Sequence, residues 1–291
     1  MKSNLQTPKH QIINAQLPNH GSTYTVISHK DIIDTTKIML ANSGFQITNE
    51  FYRGNSSCEV AQGIYHIKPF SNTDPTIENE TELGMMFAWT NSYDKSLRFQ
   101  CSIGAHVFAC SNGMICGSVN YARKHSGTAD QDVKTQISSQ IKDAERVYRT
   151  ILKDRDSLRN TELSLDRQAE LLGTMFIKED LISPRQLASI KDELSNTSYD
   201  YKDFNLESAW AFYNHVTHSY KTIHPRLWMK QSLLFHKFMM ANVAMNSQTN
   251  TQVDSINHTI EQDDIDDVEK AFSQGPIVES EYVDDPSEFE L

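Results

Sequence analysis

Apolar positions along the chain fall into three regimes. From Met1 to Gly21 they have no period, so residues 1–21 read as a flexible N-terminal arm. Ser28 then precedes a stripe at helical spacing, Ile32, Ile33, Thr36, Met39 and Leu40, with Asp31 placed for a capping-box-like start and Gly44 at the end. From Phe45 to Val119 the pattern changes to short β-branched and aromatic runs separated by turn residues. Strands are predicted at Phe45 to Tyr52, Cys58 to Pro69, Met85 to Asn91, Leu97 to Ile103, Val107 to Cys110 and Met114 to Val119, joined as an antiparallel meander. Asn91 to Ser96 reads as a hairpin connection and Ser111-Asn112-Gly113 as a tight turn.

Beyond a basic linker the period becomes helical. Val133, Ile137, Ile141, Ala144, Val147, Tyr148, Ile151 and Leu152 predict one long helix of about seven turns. Shorter helices are expected at Leu165 to Ile177, Pro184 to Leu194, Leu206 to Thr222 and Leu227 to Met245. Ser183, Pro184 and Gln186 have the order of an N-cap, a first helical position and a reciprocal cap, and His224-Pro225 separates the last two helices. No internal repeat is found. Strands first and helices second give an α+β fold: an antiparallel β-meander followed by a long helix and a helical C-terminal half. The expected organisation is an arm at 1–21, a single domain at 22–245 (β-rich 44–119, helical 130–245) and a disordered acidic tail at 246–291.

Composition sharpens this in one place. With 38% hydrophobic and 22% charged residues, the 291-residue chain suits a globular protein with a core and excludes collagenous and low-complexity classes. The net charge of −11 is localised: Glu261 to Leu291 holds twelve acidic residues and one lysine, leaving 26 acidic and 26 basic residues before it. So acidic a stretch has too little apolar surface to offset its ordering entropy. Cys58, Cys101, Cys110 and Cys116 are too few for a disulfide framework and read as reduced thiols. No apolar run is long enough to span a membrane, and the expected location is the cytoplasm where the chain is made.

Candidate chemistry concentrates in two segments. The first is Asn91 to Gly127, in which Asn91, Tyr93, Asp94, Asn112 and Gly113 sit in turn motifs and Arg123-Lys124-His125 precedes a Ser-Gly turn. Asn and Asp satisfy local backbone groups, which favours turn formation for them, whereas three adjacent cations suit an anion site or a solvated loop. The second is the acid-free stretch from Ser208 to Val253. It carries Lys221, Arg226, Lys230 and Lys237 interleaved with Trp210, Phe212, Tyr213, Tyr220, Trp228, Phe235 and Phe238. Cations between rings suit a single-stranded nucleic acid, although two packed helices would give the same rings a core role. His215-x-x-His218 lacks further spaced ligands for a metal, and phosphate-cradling, dinucleotide and nucleophile-elbow signatures are absent, so no metal, cofactor or catalytic residue is assigned. Leu165 to Leu194 could form a helix-turn-helix, but Arg185 and Lys191 against Asp192 and Glu193 read as ordinary packing.

Asn91-Ser-Tyr-Asp-Lys-Ser96, Gly104, Cys110-Ser-Asn-Gly-Met114, Arg123-Lys-His-Ser-Gly127 and Trp210-x-x-Tyr-Asn214-x-x-Thr217 occur in an order that resembles the phage/plasmid-like protein family of unknown function. This is the nine-three-two domain-of-unknown-function family, found on phages, prophages and plasmids. The resemblance spans Thr25 to Met240 and implies a mobile-element origin without an activity.

The functional expectation is a DNA-metabolism accessory protein that binds single-stranded DNA and promotes annealing or recombination. Arg123, Lys124, His125, Lys221, Arg226, Lys230 and Trp228 form the expected contact set. A meander followed by a long helix is similar to the core of single-strand annealing recombinases, and the tail resembles those of single-strand-binding proteins. That tail could also engage a host or phage replication protein, and self-association into a homo-oligomer is open. The alternative is a protein-binding inhibitor of a host defence nuclease whose acidic tail mimics DNA; an enzyme using Asp94, His125 and Cys110 ranks third.

Overall fold

The computed structural model describes residues 6–19, 26–71, 74–108, 112–115, 120–121, 129–197 and 207–248. Backbone contacts divide the chain into Met1–Gln252 and Val253–Leu291, and the expected acidic tail, like the basic Arg123-Lys124-His125 element, lies outside the described residues. In chain order the elements are α1 (Lys9–Ile13), α2 (His29–Asn42), β1 (Phe45–Gly54), β2 (Val60–Pro69), α3 (Pro75–Glu78), β3 (Leu83–Ser92), β4 (Gln100–Val107), β5 (Gly113–Met114) and β6 (Asn120–Tyr121). They continue with α4 (Ala129–Lys142), α5 (Ala144–Arg159), α6 (Leu165–Ile177), α7 (Pro184–Ser195), α8 (Ala209–Ser219), a 3-10 turn (Tyr220–Thr222) and α9 (Pro225–Gln248). This is the α+β class read from the sequence.

The sheet is antiparallel in the order β1-β2-β3-β4-β5, with β6 also on β4. Period-two alternation gives it two unlike faces. Tyr52, Tyr65, Ile67, Met85, Phe87, Trp89, Cys101, Ile103 and Ala105 share one face by register and are buried. α1 and α2 pack there: Ile12 lies against Gly54, and His29 stacks on Trp89 at 6.1 Å. α4 contacts α2 and β4, while α5 packs against β4, α8 and α9. The opposite face carries Phe51 and Arg53, then Gln62, Ile64, His66 and Lys68, then Met86, Ala88 and Thr90, then Gln100, Ser102, Gly104 and His106. α9 crosses this polar face. Arg53 Nη2 donates to the Ile223 carbonyl just before the helix, and Trp228 in its first turn closes on Gly113.

Several boundaries differ from the sequence reading for identifiable reasons. Residues expected to be a flexible arm include α1, whose Ile12 is buried, and Thr7, whose N–H donates to Tyr52 O at 2.8 Å while its hydroxyl accepts from Gly54 N. One buried isoleucine and an edge-strand contact fix this segment without any periodic signal. Where two strands were expected, at Leu97 to Ile103 and Val107 to Cys110, one strand, β4, runs from Gln100 to Val107. Gly104 is not a break; its missing Cβ admits the Met114 carbonyl, which a Cβ would meet at 2.2 Å. Between β6 and β5, Ile103 N donates instead to Gln140 Oε1 of α4. The single seven-turn helix is two helices, because Asp143 adopts φ −90° and ψ 0° and its carboxylate is held by Arg146. α6 has the expected limits, and α7 has the expected capping box between Ser183 and Gln186.

Candidate nucleic-acid interface

The turn motifs singled out in the sequence have structural roles. Asn91 lies at the end of β3, and its Nδ2 donates to Ile27 O and to His29 Nδ1, both at 3.2 Å. His29 Nε2 donates to Cys58 O at 3.0 Å, its backbone N–H donates to the Tyr93 hydroxyl at 2.7 Å, and its ring stacks on Tyr93 at 3.9 Å. A donor facing Nδ1 and an acceptor facing Nε2 fix the neutral tautomer. Burial, partly offset by the carbonyls of Cys58 and Glu59, pushes the His29 pKa down to about 4. Asp94 is exposed in the hairpin turn, where Oδ1 accepts from Ser96 N. Asn112 joins the sheet to α8, with Nδ2 donating to Asn214 O at 3.0 Å and Asn214 Oδ1 at 3.3 Å. Gly113 gives Trp228 its place, since a Cβ there would stand 2.7 Å from the indole.

The expected contact set is only partly assembled. Arg123, Lys124 and His125, with Cys110, lie outside the described residues. Arg226 and Lys230 stand one turn apart and half-buried on α9, and Lys221 sits in the 3-10 turn near enough to His218 to oppose its protonation. The interleaved rings are corrected. Trp210, Phe212, Tyr213, Tyr220 and Phe235 are fully buried and Trp228 is 5% exposed, so Trp228 is a core residue and not a base-stacking one. Acids from other elements also answer the acid-free stretch: Trp210 Nε1 donates to Glu82, His236 meets Asp154 at 3.2 Å, and His218 lies 3.6 Å from buried Glu193. No group of three His, Cys, Asp or Glu among the described residues could hold a metal.

Sequence reading missed a different array, on the polar sheet face. Phe51 of β1 meets His66 of β2 edge-on at 4.9 Å; His66 stacks on His106 of β4 at 3.4 Å with planes 5° apart; His106 meets Phe108 edge-on at 5.0 Å. The two imidazoles reach each other across β3 because Gly84 intervenes, and a Cβ on it would lie 2.2 Å from His106 Nε2. Burial lowers the His66 pKa to about 4. Burial and then repulsion from His66 lower that of His106 to about 3. Both rings are therefore neutral near pH 7, which permits face-to-face contact. Phe108 is 55% exposed, Phe51 and His66 are half-exposed, and Lys68, two residues beyond His66 on the same face, is exposed. The exposed members of the row, Phe51, His66 and Phe108, lie on the same face as the cation Lys68.

No signal of fixed spacing joins these four positions. Only alternation within each strand and the strand order place them together.

A family model described as a domain of unknown function (DUF932) matches residues 16–258. No curated protein and no solved structure matches the chain. Among the described residues, no helix is long and apolar enough to cross a membrane.

Proposed function

This chain belongs to the family described as a domain of unknown function (DUF932), which confers no activity on it, and from the sheet face itself we propose that it binds single-stranded nucleic acid, DNA in the first instance. One observation carries the reading: the continuous row Phe51, His66, His106 and Phe108 on a polar, partly exposed antiparallel face. Unpaired bases stack on aromatic faces, imidazole included, whereas bases inside a duplex already stack on each other. Lys68, Arg53 and the α9 pair Arg226 and Lys230 supply charge for the phosphates that join those bases.

The test is fluorescence anisotropy with labelled single strands at about 50 mM and about 200 mM salt, where phosphate contacts are respectively strong and weak. Phe108→Ala should weaken binding about tenfold, in keeping with roughly 1–3 kcal/mol per stacked base, and leave the salt dependence unchanged. Gly84→Ala should do the same by driving His106 out of the stack. A duplex of the same sequence should bind less tightly. Absence of affinity for any single strand at the lower salt would overturn the reading. Strand annealing is the activity to assay once binding is established.

A further inference from the structure

α6 is buried on one side and apolar on the other. Gln168, Leu171, Leu172 and Met175 are buried, as one stripe of a surface helix must be. On the outer side Leu165, Ala169, Gly173 and Ile177 recur at every fourth residue, with Phe176 beside the last, and four-residue spacing makes them one ridge. Leu165 is 68% exposed, Ile177 79% and Phe176 37%, and Ala169 is exposed with them. Among the described residues no other element exposes three large apolar side chains, and a contiguous patch of this kind marks an interaction surface.

Gly173 lies in the middle of that ridge, and nothing within the chain requires it there. Gly84, Gly104 and Gly113 each make room for a neighbouring group that a Cβ would strike, whereas a Cβ on Gly173 would meet nothing within 4 Å. Glycine in a helix interior is less favourable than alanine, so the position weakens the isolated helix. A bare backbone amid an apolar ridge lets a second helix approach closely. Charge around the ridge selects the occupant. From 162 to 180 the acids Glu162, Asp166, Glu170, Glu179 and Asp180 stand against Arg167 and Lys178, a net of −3. Arg167 is committed to Glu170 at 2.7 Å and donates to Asn242 of α9 at 3.1 Å. A second copy of this chain would set the same acidic rim against itself, and like charges so placed oppose association. A helix with apolar anchors and with lysines or arginines at its margins suits both the ridge and the rim.

We propose that the outer side of α6 is a docking surface for a basic amphipathic helix of another protein, laid across Gly173 with its apolar anchors on Leu165, Phe176 and Ile177. At 1.5 Å per residue the ridge from Leu165 to Ile177 is about 18 Å long, so the partner needs only about three turns. A contact of that length lies at the low end of specific interfaces, below roughly 1,200 Å² in total, which sets the affinity in the micromolar range. The surface shares no residue with the ring row and does not depend on the nucleic-acid reading.

The probe is a fluorescein-labelled synthetic peptide of about four turns, with leucines at three- and four-residue spacing and lysines elsewhere. A second peptide with glutamates in place of the lysines controls for charge. Full-length protein is titrated into each and binding is read by anisotropy. We expect saturable micromolar binding of the basic peptide, weakened by added salt, and none of the acidic one. Gly173→Gln should raise the unfolding temperature of the unbound protein, because glutamine favours helix and meets no neighbour, yet weaken the basic peptide about tenfold by blocking the close approach. Ile177→Ser removes an exposed anchor, leaves the fold intact and should weaken the peptide by a similar factor. No binding of the basic peptide, equal binding of both peptides, or wild-type affinity in both variants would overturn the proposal. Self-association of the wild type in analytical ultracentrifugation, abolished by Gly173→Gln, would also overturn it and assign the surface to a second copy.

Discussion

Tyr93 shows how far a single side chain in this fold can act. Its hydroxyl receives the backbone N–H of His29 at the start of α2, and its ring covers the imidazole. Tyr93→Phe keeps the ring and strands a buried donor, so chemical unfolding should show a loss of about 1–3 kcal/mol. His29 also sets a pH dependence. Its folded value near 4 lies below the ordinary 6.5, so the unfolded chain binds the proton more readily between those values. Stability from this group is fully present above about pH 6.5 and is lost as pH falls towards 4, by up to about 3 kcal/mol. His66 and His106 act in the same direction, His66 with the damping of a side chain that keeps contact with solvent. Unfolding midpoints should therefore fall steadily from pH 7 to pH 4.5, and a flat profile over that range would contradict the neutral, buried assignment.

At the scale of elements, α5, β3 and α8 meet on one charge network. Arg155 donates to Glu80 and Glu82 at 2.9–3.2 Å, and Glu82 also accepts from Trp210 Nε1 at the start of α8. Burial works against ionisation of Glu80, but Arg155 and the N–H groups of Glu82 and Leu83 outweigh it and hold the carboxyl below its ordinary range. Removing the guanidinium leaves Glu82 to Arg159 and Glu80 to the two backbone N–H groups, with side chains 15% and 10% exposed. Arg155→Gln should cost about 3 kcal/mol or more, and lowering the pH should restore part of it as one carboxylate takes a proton. Denaturation of the variant at pH 7 and pH 4.5, set against the wild type, measures both effects. Of the helices, α6 and α7 were legible from periodicity and caps and α8 and α9 from the His224-Pro225 break, whereas α5, which meets α8 here, read as part of one longer helix. Their mutual contacts were not legible, because Glu82, Arg155 and Trp210 are far apart in sequence and nothing local marks them as partners.

Across the whole molecule, local grammar sufficed for the class and for most elements, and failed where a distant contact overrides it. Gly104 lies just past the strand end expected at Ile103 and is a point of close approach inside β4; Asp143, inside the expected long helix, is a bend. For the candidate site, Trp210, Tyr213 and Phe235 satisfied a cation-and-ring pattern while serving the core. Phe51, His66, His106 and Phe108 formed no pattern at all, because strand order alone brings them together.

The docking of Thr7 on Tyr52 and Gly54 bears on the open border of the sheet. β1 is a ten-residue strand at the border of the sheet, and an uncovered border of that length is a template for another chain. The segment around α1 occupies part of it and sets Lys9 beside Glu50. A chain starting at Leu17 should keep its fold yet self-associate. Light scattering should rise with concentration for the shortened chain at concentrations where the full one remains clear, and equal behaviour of the two would show that the border needs no such guard.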